Sequence, residues 1–189
     1  MAKYWLLLSL LISTTQCRDK HLAKSEIVKA YYKAYADSNF ERLIPLITDS
    51  IIIAEGDYVT SYSLDSYYEQ FKWDSVFQPT YEVIGLEDRN DQVIATVASS
   101  SIRYRFLDND PLTCRFNISF KNDQISKIEV LECESADWNI WEARRDTLVN
   151  WIGIEHPELD GFVHDLTMQG AINYLMAMEL YLSKNRDHK

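Results

Sequence analysis

The stretch FNISFKNDQISKIEVLE, residues 116–132, reads as two strands around a tight polar turn. Phe116, Ile118 and Phe120 alternate with Asn117, Ser119 and Lys121, the period of a half-buried strand. Asn122-Asp123 is turn chemistry. Setting Ile128 and Val130 opposite Phe116 and Ile118 places all four on one face. That face carries no acid, base or metal ligand. The hairpin therefore builds an apolar wall, and reactive groups have to come from elsewhere.

Further strands are expected upstream of this hairpin. Residues 80–86, 92–106, 112–121 and 125–133 read as four strands in a meander, separated by EDRND, DNDP and ND. Before them, residues 24–36 carry Ile27, Val28, Ala30, Tyr31, Ala34 and Tyr35 at helical spacing. Asp37-Ser38-Asn39 breaks that helix, and a second short one spans 40–47, disturbed by Pro45. Residues 51–54 are a short β-branched strand, and Glu55-Gly56-Asp57 turns. Ser63 or Asp65 opens a helix through Tyr67, Tyr68 and Phe71. The order predicts an α+β fold, a curved antiparallel sheet wrapped around N-terminal helices.

Two segments carry a family resemblance: SEIVKAYYKAYADSNFERLIPLITDSIII, a helix leading into a strand, and the closing hairpin FNISFKNDQISKIEV. With them, residues 22–133 resemble the nuclear-transport-factor-two-like, SnoaL-like superfamily. The resemblance implies a cone enclosing a pocket between sheet and helices. It is one of pattern and element order, with no invariant chemical signature. The superfamily includes isomerases, dehydratases, cyclases and epoxide hydrolases, which place a carboxylate, His or Tyr inside the cone.

Residues 134–189 are additional. Trp138, Trp141, Leu148, Trp151 and Ile152 form one helical stripe. Met168, Ala171, Ile172, Leu175, Met178 and Leu182 form a second, with Thr167 as its N-cap. No linker precedes Ser135, so this helical hairpin is expected to pack on the cone or its open end.

The first residues read as an address. Lys3 gives a positive end, and residues 4–12 are an apolar run too short to span a bilayer. Residues 1–16 thus form a signal peptide and 17–21 a short tether. Cys17 resembles the lipidated first residue of a bacterial lipoprotein, although Thr14, Thr15 and Gln16 depart from that pattern. Lipidation and ordinary cleavage both remain open. Export to the cell envelope, with a membrane anchor through Cys17, is the expectation. Cys114 and Cys133 remain, and strict alternation through the hairpin puts them on opposite faces. Two free thiols are expected.

The formal charge of −10 is spread along 189 residues and forms no basic stripe, so nucleic acid is an unfavourable partner. All four histidines, His21, His156, His164 and His188, fall outside the cone segment. Glu55 and Asp57 follow the first strand, near where ketosteroid-isomerase-like members carry their base, yet EGDY also suits a solvated turn. Tyr31, Tyr32 and Tyr35 can donate hydrogen bonds into a pocket or simply fill core. Arg103 and Arg105 share a face if residues 92–106 are one strand, most simply a solvated one. The HPELDGFVHD loop gathers metal-ligand types without the spacing of a known site, so no metal and no cofactor are expected.

The expected function is therefore binding of a small hydrophobic molecule or protein partner, without catalysis. The apolar wall would be Tyr31, Tyr35, Phe116, Ile118 and Phe120. The rival readings are a cofactor-free lyase or isomerase using Glu55 or Asp57 with a Tyr, and an interaction module whose cavity is filled. An ionisable pair facing the cavity favours the enzyme, an apolar cavity favours binding, and a filled one favours interaction.

Overall fold

The structure, a computed structural model, describes residues 23–187. The expected signal peptide, and Cys17, His21 and His188, lie outside them. Helix α1 (Lys24–Ala36) buries Ile27, Val28, Tyr31, Tyr32, Ala34 and Tyr35. Two single 3-10 turns, Phe40–Arg42 and Ile44–Leu46, replace the expected second helix, because Pro45 cannot continue one. The chain then runs β1 (Ile47–Glu55), β2 (Tyr58–Ser63), α2 (Leu64–Ser75), β3 (Thr80–Arg89) and β4 (Gln92–Ser100). It continues through α3 (Ile102–Phe106), β5 (Leu112–Lys121), β6 (Gln124–Cys133), α4 (Trp138–Glu155) and α5 (Met168–Asp187).

The six strands form one sheet in the order β2-β1-β6-β5-β4-β3. The architecture is the expected α+β cone, with two additions. Strand β2 pairs antiparallel with β1, and β1 joins the meander by a parallel pairing with β6. The sheet is thus mixed. The predicted strand 92–106 is corrected: it stops at Ser100, and Ser101 caps a short helix by accepting from the Tyr104 N–H at 3.0 Å. At the quoted hairpin, Asn122 and Asp123 both hold positive φ, 51° and 59°, as a two-residue hairpin turn requires.

The register of that hairpin corrects the cysteines. Phe116 pairs with Val130 and Ile118 with Ile128, but Arg115 pairs with Glu132. Leu131 is the extra residue of a β-bulge, and it shifts the alternation of β6 by one. Cys133 therefore returns to the face of Cys114, and the two form a disulfide with Cα atoms 3.9 Å apart. Both thiols are oxidised, against expectation, because one bulge reversed the parity on which the expectation rested. A second bulge in β6, at Ser119/Phe120, and one in β3, between Val83 and Gly85, add local bends to the sheet.

Two apolar cores result. The first joins α1 to the concave face of the sheet through Val28, Tyr31, Leu43, Val97, Ile118 and Ile125. The second joins the end of α2 and all of α3 to the C-terminal helices through Trp73, Phe77, Phe106, Leu148, Ile152, Tyr174 and Met178. Leu148 and Ile152 are the buried part of the first predicted stripe, while Trp138 stays exposed. In α5 the stripe centres on Ala171, Tyr174, Ala177 and Met178, with Met168 and Leu182 left exposed. Thr167 caps α5 as expected, its Oγ1 accepting from the Gly170 N–H at 3.2 Å. Buried Asn109 clips the extension to the cone: its Nδ2 donates to the Asp137 carbonyl (3.2 Å) and its Oδ1 accepts from the Asp137 N–H (2.7 Å).

Candidate functional site

Between α1, α2 and the concave face of the sheet lies a cavity of about 330 Å³, a size suited to a small molecule. Seven tyrosines line it: Tyr31, Tyr32 and Tyr35 from α1, Tyr62 from β2, Tyr67 from α2, Tyr81 from β3 and Tyr104 from α3. Ile53, Phe116 and Ile128 complete an apolar wall, and Glu55, Gln70, Asp74 and Ser99 add polar groups. No lining residue comes from α4 or α5, and none is Lys, Arg or His, among the described residues.

Helix α2 carries the polar centre. Its residues 67, 70, 71 and 74 follow helical spacing, so Tyr67, Gln70, Phe71 and Asp74 share the inward face. Three of them line the cavity, and Phe71 packs in the adjoining core. Asp74 is half-buried and borders the cavity from α2. Gln70 donates to its Oδ2 (3.3 Å), the one hydrogen bond it accepts among the described residues. Burial pushes the Asp74 pKa above the usual carboxylate range, and the positive charge of Arg103 and the Gln70 hydrogen bond partly oppose that.

Burial favours the protonated hydroxyl at most of the tyrosines. Burial raises the pKa of Tyr31, Tyr32, Tyr35, Tyr67 and Tyr81. The Tyr31 and Tyr67 hydroxyls are hydrogen-bonded to each other. Tyr35 stacks edge-on against Phe71 and Tyr81, with centroids at 4.9 and 5.9 Å. Arg103 is not on an outward strand face. Its guanidinium lies over Trp73 (4.7 Å), Tyr104 (5.3 Å), Phe77 and Trp141 (both 5.5 Å). That cage ties α2, α3 and α4 together just behind the carboxyl.

Of the residues expected at a site, Tyr31, Tyr35, Phe116 and Glu55 meet at this cavity. Glu55 is exposed, at the end of β1, so it stands on the rim. Asp57 is exposed in the turn that follows and does not line the cavity. Ile118 is fully buried in the packed core and Phe120 packs at its edge, so neither borders the open space. The sequence reading missed Asp74, although a carboxylate at helical spacing from Tyr67 and Phe71 was the signal for it. In the HPELDGFVHD loop His156 pairs with Glu158 at 3.3 Å, and no group of three or more metal-ligating side chains converges among the described residues.

The fold is that of the nuclear-transport-factor-two-like cone. No protein-family model and no curated protein sequence matches the chain. Solved structures do. IdmH of Streptomyces antibioticus, a candidate polyketide cyclase, is similar at 15% identity and a TM-score of 0.50, over 66% of this chain and 99% of its own. A Kribbella flavida protein is similar at 10% identity and 0.50, over 65% and 93%. A nuclear-transport-factor-two-like protein of unknown function from Cytophaga hutchinsonii has 9% identity and a TM-score of 0.48, over 60% and 92%. At these identities the likeness concerns the fold.

Proposed function

We propose that this protein binds a small organic molecule inside the cone, with an apolar body against the tyrosine wall and a polar group at Asp74. The observation that carries this reading is the cavity itself: about 330 Å³, walled by aromatic rings, with one deep carboxyl that has a single protein hydrogen bond. The C-terminal helices pack elsewhere and leave that space open, which speaks against a cavity filled by the chain's own extension. Native mass spectrometry of the protein purified from its own host tests the reading. A retained molecule lost on Phe116→Trp, which fills the cavity, supports it. A protein that carries none, and whose cavity tyrosines show no NMR response to a small-aromatic library, refutes it.

A second reading is acid–base catalysis, favoured by one observation. Asp74 is a carboxyl held towards its protonated form by burial, beside tyrosine hydroxyls that remain donors. Such a pair can pass a proton to a bound carbonyl or hydroxyl and stabilise the charge that develops. Turnover of the retained molecule that is abolished by Asp74→Asn, with binding kept, would decide for catalysis over binding alone.

We also propose that the protein is exported and tethered through Cys17. The apolar run before that cysteine supports this, and so does the Cys114–Cys133 disulfide, a bond that persists in oxidising compartments. Cys17→Ala should move the protein from the membrane to the soluble envelope fraction. An unmodified N-terminus at or beyond Cys17, seen by intact mass, would rule out the tether.

A further inference from the structure

We infer that the molecule taken by the cone is an organic cation, an ammonium group on a small apolar body. This rests on the cavity being the ligand site and goes on to name the chemical class. The lining supplies two carboxyls and no cationic side chain among the described residues. Glu55 stands exposed at the rim and Asp74 lies inside, so an entering cation meets a carboxyl at each end of its path, and its arrival favours the ionised form of the inner one. An anion is repelled along that path, while a cation is drawn in.

Asp74 supplies the second argument. A carboxylate drawn largely out of water is stabilised by a countercharge or several hydrogen bonds, and half-buried Asp74 accepts a single bond, from Gln70. Apart from Arg103, the groups that face it are uncharged. Tyr31 and Tyr35 approach from α1, Tyr81 from β3 and Tyr104 from α3. Arg103 acts on it through space without hydrogen bonding to it, and its guanidinium is engaged by the rings of Trp73 and Trp141 outside the lining. An ammonium ligand brings a cation into direct hydrogen-bonding contact with the carboxyl, a contact that Arg103 does not make. The tyrosine rings then offer π faces, which attract cations most strongly where water is excluded.

Titration calorimetry at pH 7 on the mature protein, with three ligands of one shape, tests this: benzylammonium, benzyl alcohol and benzoate. Benzylammonium should bind at least tenfold more tightly than benzyl alcohol, and benzoate should not bind measurably. Asp74→Asn should bring the first two within about twofold of each other, provided circular dichroism shows an unchanged fold. Glu55→Gln, at an exposed rim position, should weaken benzylammonium by no more than about threefold and leave benzyl alcohol unchanged. Benzyl alcohol binding as tightly as benzylammonium overturns the cation inference and leaves the cavity reading intact. No binding by any of the three, with no NMR response at the cavity tyrosines, overturns both.

Discussion

The indole Nε1 of Trp73 donates to the main-chain carbonyl of Asp165 at 3.2 Å, joining the end of α2 to the loop before α5. The same carbonyl lies against Gly170, where an added Cβ would sit 2.1 Å from it and 2.5 Å from the Asp165 side chain. Backbone oxygen cannot move aside as a flexible side chain can. Gly170→Ala is therefore expected to cost about 1–3 kcal/mol and to loosen the Trp73 contact. Urea denaturation followed by Trp fluorescence measures both. An unchanged midpoint would mean that the loop shifts freely and that the joint is unimportant.

Oxidation state is the next test. Thiol labelling of the denatured, unreduced protein should modify neither Cys114 nor Cys133. The bridge closes a loop between residues 19 positions apart, so its reduction should cost about 3 kcal/mol in the chain-entropy account. Denaturation with and without reductant gives that difference. Two labelled thiols would require β6 to run without its bulge at Leu131.

Phe116 and Ile118 separate cavity wall from packed core. Ile118 is fully buried, so Ile118→Ala should cost about 2–5 kcal/mol, from lost transfer energy and the void left behind. Phe116 borders space that is already open, so Phe116→Ala should cost less than the roughly 3–5 kcal/mol of a fully packed Phe. It should nevertheless change ligand affinity, which Ile118→Ala should change little. Thermal melts paired with binding measurements distinguish the two. Equal stability losses with equal affinity losses would contradict the assignment of the wall.

Asp74 makes stability depend on pH with a definite sign. Its folded pKa lies above the unfolded value, so between the two the folded protein holds a proton that the unfolded chain has released. Its contribution is therefore most favourable below about pH 3.9 and declines as pH rises through the raised folded value. Asp74→Asn removes that decline. At pH 7 the variant should melt higher than the parent, by roughly 2–4 °C for each kcal/mol relieved, and the gap should close towards pH 4. A variant that melts lower at pH 7 would show the carboxylate to be well paired in the folded state.

The helices and the hairpin were legible because long periodic segments report their own geometry. Helix α1 runs over residues 24–36 as its spacing required, and Thr167 caps α5. What escaped has physical causes. Strand β2 is an edge strand whose residues are almost all exposed, so it carries no burial alternation to read. The break after Ser100 was marked only by Ser101 three residues before Tyr104, a cap hidden in the serine run 99–101. Parity along β6 depends on Leu131, and nothing in composition announces a bulge. Asp74 looked like an ordinary polar helix residue until the fold closed over it. The tyrosines, Phe116 and Glu55 were visible, whereas Gln70 and Asp74 came from a helix read only for its apolar members.

The parallel pairing of β1 with β6 also dictates an order of assembly. Strand β1 can form its hairpin with β2 as soon as residue 63 is available, because that contact is local. Its other neighbour arrives much later, since Ile53 pairs with Ile128 and β3, β4 and β5 lie between them in sequence. That long closure is entropically the costliest joint in the sheet, and its reward comes only once β6 is in place. A chain cut before residue 124 would hold a two-stranded hairpin and a three-stranded meander with no strand to join them. The cone, and with it the cavity between Tyr31, Ile53 and Ile128, is therefore a late product of folding.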